Sequence, residues 1–154
     1  EPPSGASIST ISAARPDVLN HNVETVPRLQ RAARPSAGYA RSLAVLARAG
    51  AAGLTTKSGL VVGMGETFDE LTGCLADLAA VGVSIVTIGQ YLRPTSHHLP
   101  VARWVEPDEF TELAGIGRAL GIGHVESSPL TRSSYHARQA AESAQGVAVP
   151  VSFS

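Results

Sequence analysis

The strongest constraint on the fold is a repeated order: a short run rich in Val, Leu and Ile, a polar stretch, then a longer segment with apolar positions every three or four residues. Parallel strands covered on both faces read as near-continuous apolar runs, and each needs a crossover helix to bring the chain back to the same end of the sheet. The order therefore predicts successive βα units. A brief strand is expected at 17–20, after Pro16, followed by a helix capped by Ser36 with Tyr39, Leu43, Leu46 and Ala47 on one face and closed by Gly50 and Gly53. A second strand is expected at 56–62. Thr67 and Glu70 then have the spacing of a capping box, with Phe68, Leu71, Leu75 and Leu78 as the buried stripe and Gly82 as the stop. A third strand is expected at 83–88. Pro107 and Asp108 open a helix with Phe110, Leu113, Ile116 and Leu120 inward, Gly121 ends it, and 122–126 is the fourth strand. Four parallel strands with intervening helices fit half of a (β/α) barrel or a small doubly wound sheet, and periodicity leaves both open.

Length and charge narrow the partners. A chain of 154 residues holds one ordinary domain. Its net charge of −1, from 12 basic and 13 acidic residues, gives no footprint for nucleic acid or an anionic membrane surface. The apolar runs at 59–65 and 81–89 are of strand length, far short of the roughly twenty residues of a membrane helix. Cys74 is the only cysteine, so neither a disulfide framework nor an all-cysteine metal site can be built from this chain alone. A reducing, cytoplasmic setting is expected. Residues 1–14, rich in Pro, Ser and Gly, read as a loose and truncated lead-in, 15–141 as the body, and 142–154 as a flexible tail.

In parallel α/β folds ligands meet the C-terminal ends of strands, and here those positions are polar. Asn20 to Thr25 offers two amides, an imidazole and a carboxylate, and reads equally as a turn leading into a helix. Gly63-Met64-Gly65-Glu66-Thr67 lets a ligand approach the backbone near a helix amino end, or is simply a tight capped turn; it completes neither a phosphate-loop nor a dinucleotide fingerprint. Gln90, Tyr91 and Arg93 suit an adenine edge or a carboxylate, and Tyr91 and Arg93 could equally cap the barrel rim. The segment 127–136 is dense in Ser, Thr, Arg, Tyr and His. No nucleophile elbow surrounds Ser133 or Ser134, which argues against a serine nucleophile beside His136. His97 and His98 are adjacent and lack a metal-spaced partner, and Cys74 falls on a helix as a small packing residue.

Taken in order, the blocks PDVLNHNVETVPRL, TKSGLVVGMGET, TIGQYLRP, HLPVARWVEPDEF and RSSYHA resemble the successive signatures of the lipoyl synthases, from Arg15 to about Ala141. The resemblance implies an α/β fold: the C-terminal part of a (β/α) partial TIM barrel of radical S-adenosylmethionine type, with about four parallel strands and flanking helices. It implies a sulfurtransferase that inserts two sulfur atoms at C6 and C8 of a protein-bound octanoyllysine, using S-adenosylmethionine and two 4Fe–4S clusters. By similarity Asn20, Asn22, Glu24, Arg34, Gly63, Gly65, Glu66 and Gln90 line the S-adenosylmethionine site, and Ser133 is an oxygen ligand of the auxiliary cluster, with Arg132 and Tyr135 holding its segment. The implied partners are octanoylated lipoyl-carrier proteins, such as lipoyl domains and the glycine cleavage H protein, together with a missing N-terminal half; no residue is assigned a catalytic role. The departure is in the cysteines. The family carries two cysteine triplets toward its N-terminal side, and one thiol cannot assemble a cluster. This chain alone is therefore expected to be inactive. A degenerate, non-catalytic binding or assembly module is the alternative; an independent nucleotide-binding domain would leave RSSYHA without a purpose.

Overall fold

The computed structural model describes residues 18–33 and 38–132. Among these residues are four strands, β1 (Val18–Asn20), β2 (Thr55–Val62), β3 (Ile85–Gln90) and β4 (His124–Ser127), and four helices, α1 (Pro27–Ala33) and α2 (Tyr39–Ala51) between β1 and β2, α3 (Phe68–Ala80) before β3 and α4 (Pro107–Ala119) before β4. The strands form one parallel sheet in sequence order, β1-β2-β3-β4. That order separates the two architectures the sequence left open. A doubly wound sheet reverses direction at a switch point, whereas a barrel lays each strand beside the last. The fold is α/β, an arc of parallel strands of the (β/α) barrel kind. The lead-in, the tail, Arg34 and Ser133 lie outside the described residues.

The three long helices end in the same way. In each, a glycine of positive φ (Gly53, Gly82 or Gly121) follows the C-cap, and the apolar residue after it turns its N–H back to a carbonyl of the last turn. Leu54 donates to Ala49, Val83 to Leu78 and Ile122 to Gly117, each at 3.1 Å. These are Schellman stops, which satisfy carbonyls that the helix end would otherwise leave bare. They explain where the observed strands differ from expectation. Val83 and Ile122 open the apolar runs, but their amides belong to the helix stops, so β3 begins at Ile85 and β4 at His124.

Two caps show how far local sequence decides. In α3 the box forms as the spacing predicts: Thr67 Oγ1 accepts from the Glu70 amide at 3.1 Å and Glu70 Oε1 from the Thr67 amide at 2.8 Å. In α2 the expected Ser36 cap is replaced, since the helix starts at Tyr39 with extended Gly38 in the N-cap position and no side-chain cap. The stripe of α4 also shifts. Leu120 sits at the C-cap and is 41% exposed, while Gly117 faces inward, where an added Cβ would come within 3.0 Å of Val125 Cγ2.

The core fills the space between the sheet and the helices. Leu60, Val62, Val86, Ile88 and Val125 pack from the sheet against Leu46, Leu71, Leu75, Leu78, Phe110 and Leu113. Because side chains alternate along a strand, the intervening residues, among them Lys57, Gly59, Thr87, Gly89 and Glu126, face the opposite side of the arc. That concave side carries the polar groups.

Candidate functional site

A cavity of about 470 Å³ opens on the concave side, at the C-terminal ends of the strands. This is within the size range of small-ligand pockets. Three strand-end segments and the start of a fourth build it.

The segment after β1 continues to pair with β2 although it is no longer a regular strand. The Glu24 amide donates to Gly59 O at 3.0 Å, the Val61 amide donates to Glu24 O at 2.8 Å, and the Val23 amide donates to Ser58 Oγ at 3.1 Å. Glu24 takes φ 72°, a left-handed conformation that costs a non-glycine residue about 1–2 kcal/mol. Such strain persists only where surroundings over-determine it, and it gathers at ligand sites. Behind the segment, buried Gln30 of α1 donates to the carbonyls of Val23 and Thr25, the latter at 2.8 Å. The sequence reading had no helix here; Pro27 at its first position was the available signal. Asn22 turns over Gly59, where an added Cβ would lie 2.9 Å from Asn22 Oδ1 and 3.0 Å from Thr87 Oγ1. Asn22, Glu24, Gly59 and Thr87 all border the cavity.

After β2, the turn 63–66 closes on itself. Buried Glu66 accepts from the amides of Gly63 at 2.9 Å and Met64 at 3.1 Å, so those donors are engaged within the turn. Gly63 has φ 101°, and a Cβ there would stand 2.5 Å from both Arg103 O and Gln90 Nε2. Met64 reaches the cavity; Gly63, Gly65 and Glu66 do not line it. Outside the turn, Arg28 clasps Glu70 through Nε and Nη2, both at 2.9 Å, and also donates to Gly65 O. The guanidinium bond is the main reason the Glu70 carboxyl is held at about 2.

After β3, the polar residues serve their own loop. Gln90 Nε2 donates to Tyr91 O and Arg103 O, both at 3.1 Å, and Oε1 accepts from the Val105 amide at 2.9 Å. Tyr91 donates its hydroxyl to Leu99 O at 2.6 Å, and Arg93 donates to His98 O and Ser96 O. The groups that suited an adenine edge or a carboxylate instead brace residues 91–105, a strap that gives the cavity Leu92, Pro94, His98 and Leu99. His98 Nδ1 shares a bond of 2.8 Å with Thr95 Oγ1, while His97 is exposed. After β4, Thr131 and Arg132 complete the lining, and Gly89 has no side chain where Thr131 O passes over it.

On the concave face Lys57 lies two residues before Gly59 and is 1% exposed; burial lowers its pKa, opposed by the Glu126 carboxylate. Cys74 is buried in α3, where burial pushes its thiol up to about 11, away from thiolate chemistry. Of the residues singled out from sequence, Asn22, Glu24 and Gln90 come together at the cavity, Asn20 ends β1 outside its lining, and Arg34 and Ser133 fall outside the described residues. Sequence reasoning missed Thr87 and the Gly59 gap, whose signal was a glycine in the middle of an expected strand.

No family model matches the chain. Among curated proteins it is 52% identical over 141 residues to a lipoyl synthase of Rubrobacter xylanophilus, covering 90% of this chain and 44% of the relative. It is 54% identical over 137 residues to one of Methylococcus capsulatus, with 88% and 42% covered, and 54% identical over 132 residues to one of Oleidesulfovibrio alaskensis, with 86% and 45% covered. The chain thus spans less than half the length of these relatives. With more than half of the aligned residues identical over nearly its whole length, the chain belongs to the lipoyl synthase family and corresponds to the C-terminal portion of its members.

Proposed function

We propose that this chain forms the C-terminal wall of a lipoyl synthase active site and contributes to the radical insertion of sulfur at C6 and C8 of an octanoyllysine on a carrier protein. The observation that carries the reading is the convergence of separate family blocks on one cavity: Asn22 and Glu24 from HNVET, Gly59 to Val61 from the second block, Gly89 to Leu92 from the third and Arg132 from RSSYHA.

The cavity fits S-adenosylmethionine in its chemistry. Glu24, Asn22 and Thr87 offer a carboxylate, an amide and a hydroxyl to an amino or hydroxyl pole, and Val61 and Met64 an apolar surface to a flat ring. Bound there, the ligand would supply the carbon radical that abstracts hydrogen. Asn20 and Arg34 would complete the surroundings, and Gly63, Gly65 and Glu66 would act by shaping the turn behind Met64. The described residues do not fit an iron–sulfur cluster. The sole cysteine is buried in α3, and no group of three or more His, Cys, Asp or Glu among the described residues could hold a metal. The cluster cysteines therefore come from outside these 154 residues, with Ser133 as the one auxiliary-cluster ligand this chain contributes. The partners proposed are lipoyl domains and the glycine cleavage H protein, in the cytoplasm. No helix among the described residues is long and apolar enough to cross a membrane.

The test is reconstitution. The chain is combined anaerobically with the N-terminal portion of a lipoyl synthase, iron and sulfide, and lipoyl formation is followed on an octanoylated carrier domain. Activity that is lost with Ser133→Ala is the expected result. A stable complex without activity would favour the binding or assembly module, and no complex would overturn the proposal.

A further inference from the structure

We infer that Gln90, which borders the cavity, is a positioning residue: it fixes the strap 91–105 as the cavity's outer wall, and so sets how tightly the cavity holds its ligand. The inference rests on the functional reading only for the identity of that ligand. Gln90 is 5% exposed, at the end of β3. Its amide makes three hydrogen bonds, two as donor to Tyr91 O and Arg103 O and one as acceptor from the Val105 amide. These grip both ends of the strap, which is otherwise exposed over most of its length. A second fastening runs parallel, since Gly63 O accepts from the amides of Ala102 at 2.7 Å and Arg103 at 3.3 Å. The bare α-carbon of Gly63 is what lets Gln90 Nε2 and Arg103 O pack there. Between the ends, the strap keeps its shape through Tyr91 to Leu99 O and Arg93 to Ser96 O and His98 O. A loop that is braced internally and anchored at both ends moves as one body, and its anchor controls how far Leu92, Pro94 and Leu99 stand from Val61 and Met64 across the cavity.

Hydrogen exchange on the whole chain tests this, comparing wild type with Gln90→Glu, which keeps the size but sets a carboxylate against two carbonyls. The amides of Ala102, Arg103 and Val105 are expected to exchange at least tenfold faster while those of β2 and β3 keep their protection. Fluorescence of Trp104, the only tryptophan, which lies between two anchored residues, should become more open to acrylamide. Unchanged strap protection would overturn the inference. If strap and sheet lose protection together, Gln90→Met decides: selective loosening there supports positioning, and joint loss again overturns it. S-adenosylhomocysteine supplies the ligand arm. If wild type binds it, the Gln90→Glu affinity should fall at least tenfold, and equal affinity would overturn the claim that the strap sets the cavity's hold on its ligand. If wild type does not bind it, the functional reading fails while the exchange result still decides the role of Gln90.

Discussion

Two connections leave the sheet beside each other, and they are held in opposite ways. The turn after β2 is fastened by its own sequence: Glu66 binds the amides two and three residues before it, and the Thr67–Glu70 box starts the next helix at once. The strap after β3 is fastened from afar, with Gln90 reaching residues 13 and 15 positions away. A turn that satisfies its own donors is a fixed part of the scaffold, whereas a strap that depends on distant anchors can be loosened without unfolding the sheet. The turn gives the cavity only Met64; the strap gives it a wall.

The largest effect is expected where the two connections meet. Gly63→Ala places a Cβ 2.5 Å from Arg103 O and Gln90 Nε2 at a residue with φ 101°, so turn and strap must both shift. A left-handed alanine costs about 1–2 kcal/mol and overpacking a further 1–3 kcal/mol, so a loss of about 2–5 kcal/mol is expected in urea unfolding. A loss below about 1 kcal/mol would mean that the two connections are not coupled through this α-carbon.

Next comes the self-contained turn. Glu66→Ala strips two buried amides of their acceptor, which costs about 2–4 kcal/mol at the usual 1–3 per unsatisfied group, moderated by water entry. The contrast with the strap is sharpened if exchange speeds up at Gly63 and Met64 and not at Val105, and broken if the strap loosens as well. Tyr91→Phe should do less. It removes one bond to Leu99 O within an exposed loop, for about 0.5–1.5 kcal/mol, with faster exchange limited to the strap.

The same contrast decides what could be read from sequence. The βα order, the α3 capping box and the three glycine stops were legible because each is set by residues within a few positions of one another. The starts of β3 and β4 were each misplaced by two because Val83 and Ile122 look like strand and bond like helix ends. Barrel against doubly wound sheet was settled only by strand order, a property of pairing that periodicity does not carry. That Asn22 and Glu24 border the cavity was legible because polar residues stood at a strand end. A rim role for Tyr91 and Arg93 was open from sequence, but which groups they and Gln90 brace was not legible, since those partners are backbone carbonyls and amides, which nearly every residue possesses.

The smallest effect concerns the exposed clasp outside the turn, where charge rather than backbone makes the fastening. Arg28 holds the Glu70 carboxyl at about 2 against an ordinary 4.5. A carboxyl whose pKa is depressed by folding adds stability that is fully present above the unfolded value and disappears as pH falls through the folded one. The contribution should therefore be constant above about pH 4.5 and fade between there and about pH 2. Because Arg28 is exposed, screening keeps the effect small and salt should reduce it further. Comparing wild type with Arg28→Met across that window isolates it: the difference in unfolding midpoint should shrink as pH falls. A difference that persists at low pH would instead assign the fastening to the Arg28 bond with Gly65 O, which does not titrate, and the turn would then depend on a distant anchor in the same way as the strap.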